Sequence, residues 1–180
     1  EVNAAIKEIV DECDPVLLHG YTSAQGDYGT RKVLADYTNA RFATALNAEC
    51  FYLTCGAAAS LTIILNALLN AGDEVITFAP FFPEYRIFIE NAGGRLVAVK
   101  CEEDTFRIDF DRLESAITAH TKGVIVNSPN NPSGVVYTEE EIVRLTKLLE
   151  KYSKKYGNTI YLISDEPYRE LVYDESVKVP

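Results

Sequence analysis

From Glu74 to Asp165 short apolar runs alternate with longer amphipathic stretches, and no other feature constrains the fold as strongly. Glu74–Ala79 (EVITFA), Arg95–Lys100 (RLVAVK), Gly123–Asn127 (GVIVN) and Ile160–Ile163 (IYLI) each read as a strand, the last as a short buried one. Phe51–Thr54 (FYLT) gives one more strand signal upstream. Helical periods fill the gaps: about Ala58 to Asn70, ended by Ala71–Gly72–Asp73; Glu84–Asn91, closed by Gly93–Gly94; and Asp109–Ala119, with Asp111 as its cap. A long helix then starts after Thr138, where Glu141 completes a capping box, and runs to about Tyr156, with Gly157–Asn158 as its stop. Strands and helices in this order predict right-handed crossovers and a largely parallel sheet covered on both faces. The expected fold class is therefore α/β, in three α/β/α layers.

The first part of the chain reads differently. Val2–Cys13 carries Ile6, Ile9 and Val10 at helical spacing, and His19–Gly29 (HGYTSAQGDYG) reads as an irregular loop. A helix is expected from about Thr30 to Thr44, burying Val33, Leu34, Tyr37 and Phe42. Residues 1–47 are thus expected to form N-terminal helices and a loop, part of a neighbouring subdomain or a dimer contact. Residues 48–180 are expected to form part of a larger α/β domain. With 180 residues, 47% hydrophobic and 24% charged, the chain is long enough for a substantial core.

Charge and cysteine spacing exclude several functions. A net charge of −10 provides no basic stripe for nucleic-acid phosphate, and the lysines of Lys147–Lys155 alternate with Glu150 and apolar residues as on a solvated helix face. Cys13, Cys50, Cys55 and Cys101 lack CxxC spacing and a histidine pair, so no metal site is expected. Four thiols without a membrane-length apolar run suggest a cytoplasmic protein with neither membrane nor nucleic-acid partner. His19 and His120 stand alone. The chain opens on Glu1 and closes on Pro180 without a cap, as though cut from something longer.

Four motifs follow strands, where an open α/β sheet binds its ligands. Thr54–Ser60 (TCGAAAS) brings Gly56 and small side chains to a helix start, leaving amides bare for a phosphate. Pro80–Tyr85 (PFFPEY) holds an aromatic face between two prolines, able to stack on a flat heteroaromatic ring. Asn127–Gly134 (NSPNNPSG) is a closely specified turn that could aim an amide at an oxyanion. Asp165–Tyr168 (DEPY) ends the last strand abruptly, because Pro167 cannot donate to a ladder and disfavours helix at Glu166. A carboxylate there needs a positive partner, such as a protonated ring nitrogen. A phosphate cradle, a stacking face, an amide donor, a carboxylate and a phenol together fit pyridoxal 5′-phosphate. Each motif alone also has a plainer reading as packing or turn.

From about Leu17 onward the sequence resembles the fold-type I, aspartate aminotransferase-like family of pyridoxal-phosphate enzymes. The resemblance rests on YTSAQG, TCGAAAS, PFFPEY, NSPNNPSG and ISDEPY, in the family's order. It implies that the chain is a truncated form of the family's large cofactor-binding domain. It further implies that the backbone amides of Ala57 and Ala58 hold the phosphate, that Phe82 stacks on the pyridine ring, and that Asn131 and Tyr168 reach its phenolic oxygen. By the same resemblance Asp165 pairs with the pyridinium nitrogen, and Tyr21 reaches the cofactor phosphate of a partner subunit, implying a homodimer. The activity implied is transfer of an amino group between an amino acid and a 2-keto acid. One departure is plain: the family's Schiff-base lysine and substrate-clamping arginine have no counterpart here. Lys178 lacks the serine-rich context, and Lys154 lies upstream on a helix. The chain alone is therefore expected to be inactive, with no catalytic residue of its own. The alternatives are a β-lyase, a decarboxylase or an aminocyclopropane-carboxylate synthase relative of the same fold, or a non-catalytic effector-binding domain of a transcription regulator. A nicotinamide-dependent oxidoreductase is disfavoured by the missing GxGxxG.

Overall fold

The computed structural model describes residues 1–174 and 176–180. The chain divides into two compact units, Glu1–Cys55 and Gly56–Pro180.

The first unit is helical. It contains α1 (Val2–Glu12), α2 (Pro15–His19), α3 (Tyr28–Phe42) and a single 3-10 turn at Ala48–Cys50. Asp14 and Asp27 cap α2 and α3 by accepting from first-turn amides, Asp27 Oδ1 from Thr30 N at 2.7 Å. Two expectations are corrected here. The side of α3 that is buried carries Arg31 and Ala35, while Val33, Leu34, Tyr37 and Phe42 are exposed. Arg31 is buried because its guanidinium bridges the unit: Nη1 donates to the Ala48 carbonyl at 2.8 Å and Nε to that of Gly26 at 3.3 Å. Phe51–Thr54 is not a strand. Its backbone is extended at Phe51, but the link seen is one bond from Leu53 N to the Gln25 carbonyl (3.0 Å), not a ladder.

The second unit is a four-stranded, wholly parallel sheet with helices on both faces. β1 (Glu74–Ala79), β2 (Arg95–Lys100), β3 (Thr121–Asn127) and β4 (Tyr161–Asp165) lie in the order β2-β1-β3-β4. Alternate side chains of a strand point to opposite faces, and β1 and β3 divide accordingly. Val75 and Ile125 pack with Leu61 and Leu65 of α4 (Ala57–Leu68) and with Tyr85 and Ile89 of α5 (Glu84–Asn91). Ile76, Phe78, Val124 and Val126 pack with Phe110 and Leu113 of α6 (Phe110–Ala116) and with Leu145, Leu149 and Tyr152 of α7 (Glu139–Tyr156). Covered on both faces, the two central strands are buried along almost their whole length, around the apolar segments Val75–Ile76 and Val124–Val126.

Helix ends follow the sequence closely. Thr138 and Glu141 form the capping box of α7, and Gly157 closes it at φ 64°. The cap of α6 is Asp109 rather than Asp111: its carboxylate accepts from the amides of Asp111 and Arg112, so the helix starts one residue later than expected and ends at Ala116. β4 also differs from expectation. It pairs only with β3 among the described residues, and Tyr161 and Leu162 are 39% and 36% exposed.

The sheet order fixes where a ligand can sit. The chain steps from β1 to β2 in one direction, then passes back over β1 to reach β3. At such a reversal the connections leave on opposite faces and open a crevice beyond the carboxyl ends of the two strands. PFFPEY follows β1 and NSPNNPSG follows β3 at that edge, with DEPY beside them at the end of β4.

Candidate functional site

The crevice contains a cleft of about 200 Å³, bounded on one side by the start of α4. That start has no side-chain cap, and Gly56 precedes it at φ 90° and ψ 165°. This backbone region is open almost only to glycine. A Cβ at Gly56 would meet nothing within 4 Å, so the requirement is conformational rather than steric. The amides of Ala59 and Ser60 turn back to the Gly56 carbonyl, whereas Ala57 and Ala58 border the cleft with only methyl side chains. Uncapped amides at the positive end of a twelve-residue helix suit an anion.

To the same cleft, the loop after β1 supplies Phe82 and the first turn of α5 supplies Glu84 and Tyr85. Phe82 and Tyr85 meet edge to face, with ring centroids 5.6 Å apart and planes at 80°. Tyr85 is 2% exposed, and its hydroxyl donates to Asp165 Oδ2 at 2.5 Å. Burial pushes the Tyr85 phenol well above its usual range, helped by the hydrogen bond and the charge of Asp165. It is therefore a neutral donor at any ordinary pH.

Asn127 and Asp165 face each other on the last rung between β3 and β4. The Asn127 amide joins the two loops beyond that rung. Its Nδ2 donates to the Asp165 carbonyl at 2.8 Å, and its Oδ1 accepts from Asn131 N at 2.6 Å. Within the turn, Asn130 Oδ1 accepts from Ser133 N (3.1 Å) and Ser133 Oγ (2.8 Å), and the Asn130 carbonyl from Gly134 N (2.8 Å). So braced, Asn131 projects Nδ2 to the Tyr168 hydroxyl at 3.2 Å.

The structure thus brings Ala57, Ala58, Phe82, Asn131, Asp165 and Tyr168 around one cleft. Tyr21 lies in the other unit, fully exposed. Two residues that hydrogen-bond to the groups of the cleft, Tyr85 and Asn127, had no role in the sequence reading. Tyr85 stood inside the aromatic loop and looked like packing. Asn127 carried a signal that could have found it, a polar side chain ending an otherwise apolar strand. The lining includes two carboxylates, Asp165 and Glu84, and no lysine, arginine or histidine. Among the described residues only Tyr85 donates to the Asp165 carboxylate, at Oδ2, which leaves Oδ1 for a cationic or protonated ligand group. No cluster of three metal-ligating side chains occurs among the described residues, and no helix there is long and apolar enough to cross a membrane. All four cysteines are free.

Comparison with known proteins decides the family. Residues 1–179 match the model of the aminotransferase class I and II family. The chain belongs to that family. An amino transferase from Eubacterium rectale superposes with a TM-score of 0.96 at 57% identity, covering 99% of this chain and 45% of its own. Aspartate aminotransferase from Thermus thermophilus, solved with maleate, gives 0.83 at 32% identity, over 96% of this chain and 43% of its own. A probable kynurenine–oxoglutarate transaminase of Saccharomyces cerevisiae is 36% identical over 96% of this chain and 40% of its own length. The chain thus spans less than half the length of each of these relatives. Its α/β fold is theirs, and its resemblance is to pyridoxal-phosphate-dependent aminotransferases.

Proposed function

We propose that this chain forms the cofactor-cradling part of a pyridoxal-phosphate-dependent aminotransferase that moves an amino group between an amino acid and a 2-keto acid. One observation carries the reading: a helix start without a side-chain cap, an aromatic face, an amide beside a phenol, and a carboxylate with no cation near it line a single cleft where the strand order reverses. Those groups match the phosphate, ring face, phenolic oxygen and ring nitrogen of pyridoxal phosphate, one for one. When bound, the cofactor supplies an electron sink for the charge left as a proton departs from the amino acid's α-carbon.

The residues divide the work by position. Ala57 and Ala58 hold the phosphate through their amides, aided by the α4 dipole. Phe82 packs against the ring and excludes water from that face. Asp165 keeps a proton on the ring nitrogen, because an adjacent carboxylate favours the charged pyridinium. Asn131 and Tyr168, already in contact with each other, converge on the phenolic oxygen and stabilise its negative charge. Tyr21, wholly exposed in the single chain, would serve the phosphate of a second subunit in a homodimer. The four free cysteines support a cytoplasmic location.

No lysine lines the cleft, so the 180-residue chain should bind the cofactor reversibly and turn nothing over. Two measurements test this. Titration with pyridoxamine 5′-phosphate, which has the same ring and phosphate but no aldehyde to react with surface lysines, should show saturable binding lost in Asp165→Asn. Incubation with pyridoxal phosphate, an amino acid and a 2-keto acid should give no sustained keto-acid production. Unsaturable binding, or multiple turnovers by the chain alone, would overturn the respective claim.

A further inference from the structure

Resting on that reading of the cleft, we propose that Tyr85 is the positioning residue of the site, fixing the Asp165 carboxylate with its hydroxyl and the Phe82 ring with its own ring. The geometry points to this dual role. Tyr85 sits in the first turn of α5, and its side chain is among the most completely buried in the molecule, part of the core cluster that includes Leu61, Leu65, Val75, Ile89, Leu96 and Ile125. From that anchored position its edge-to-face contact with Phe82 sets the tilt of the stacking face, at 5.6 Å between centroids. Its hydroxyl meets Asp165 Oδ2 at 2.5 Å, across eighty positions of sequence. One rigid side chain thereby sets the spacing between the group under the ring and the group at its nitrogen.

The hydrogen bond has an electronic consequence as well. A phenol donating to one oxygen draws negative charge from the carboxylate, so a proton shared between Oδ1 and the ring nitrogen stays on nitrogen. The other ionisable groups lining the cleft are Glu84, on the same helix, and Tyr168, after β4. Neither is a cation, and neither donates to Asp165 among the described residues. Removing the Tyr85 hydroxyl therefore leaves this carboxylate without a protein donor and free to rotate.

The test is nitrogen NMR of pyridoxamine 5′-phosphate, labelled with ¹⁵N in the ring, bound to the parent chain and to variants. Protonated and unprotonated pyridine nitrogens resonate far apart, so the signal reports where the proton is. Tyr85→Phe keeps the ring packing and should move the resonance toward the unprotonated position, with affinity reduced about tenfold. Replacing Tyr85 by 3-fluorotyrosine restores a donor and should return the parent resonance. Melting curves of each variant report whether the fold is intact. A parent-like resonance and affinity in Tyr85→Phe, or a fluorotyrosine chain that behaves like the Phe variant, overturns the proposal. Failure of the parent to bind, or binding undiminished in Asp165→Asn, instead overturns the cofactor reading on which it depends.

Discussion

Asp165 is a half-buried carboxylate with one oxygen held by a phenol and no cation in the cleft it lines, an arrangement that is costly unless a ligand supplies positive charge. The phenol itself yields a pH prediction. Burial lifts Tyr85 above the ordinary phenol value of 10.0, and burial likewise lifts Tyr137, with Cys101 adding to the effect. Because the folded value is the higher one, each contributes stability in full below about pH 10 and loses it as the unfolded chain ionises above that. Urea midpoints should fall as pH rises past about 10. The fall should be shallower in Tyr85→Phe or Tyr137→Phe, each compared with the parent across the same range. Asn127 makes a second prediction at this scale. Asn127→Ala removes the donor to the Asp165 carbonyl and leaves the Asn131 amide unpaired, so stability should drop by roughly 1–3 kcal/mol by chemical denaturation. Cofactor binding should weaken with it, since both loops lose their common brace.

Helix termini separate what stabilises the fold from what serves the site. Thr138→Ala breaks the capping box of α7 and should cost about 1 kcal/mol of stability. Binding of pyridoxamine 5′-phosphate, measured on the same samples, should be unchanged, because α7 packs on the face of the sheet away from α4 and α5. Gly56→Ala should do the reverse in emphasis. Forcing an L side chain into that backbone region costs about 1–3 kcal/mol. Relief of the strain would re-aim the Ala57 and Ala58 amides, so loss of phosphate-ester affinity should accompany the loss of stability. The caps of α7 were legible because capping is local: Thr138 and Glu141 are three residues apart. The buried side of α3 was not, because it is decided by what Arg31 can reach. A guanidinium that satisfies the carbonyls of Gly26 and Ala48 takes the inward position, and the apolar residues of the helix are left outside.

For the whole molecule, protection should follow the sheet. β1 and β3 lie at its centre with both faces covered, whereas α1 and α2 bury no residue and β4 is an edge among the described residues. Amide hydrogen exchange should therefore be slowest in Glu74–Ala79 and Thr121–Asn127 and fastest in α1 and α2, with β4 between them. Uniform protection across these elements would contradict the division into a helical unit and a sheet unit. The same layering explains why the cleft holds its shape: its walls are the ends of core strands and a helix packed on them, not a free-standing loop.

Sequence alone determined the order of strands and helices in the α/β unit, because apolar period, capping residues and chain-breaking prolines act within a few positions of one another. It also marked the segments that carry the cleft, since glycine, proline and asparagine at strand ends have local backbone consequences. Tertiary structure decided which side chains meet there. The Tyr85–Asp165 bond joins residues eighty positions apart, and the Asn127 brace depends on the strand register. No local rule specifies such contacts; they exist only because the parallel strands end at one edge and the strand order reverses between β1 and β3 there.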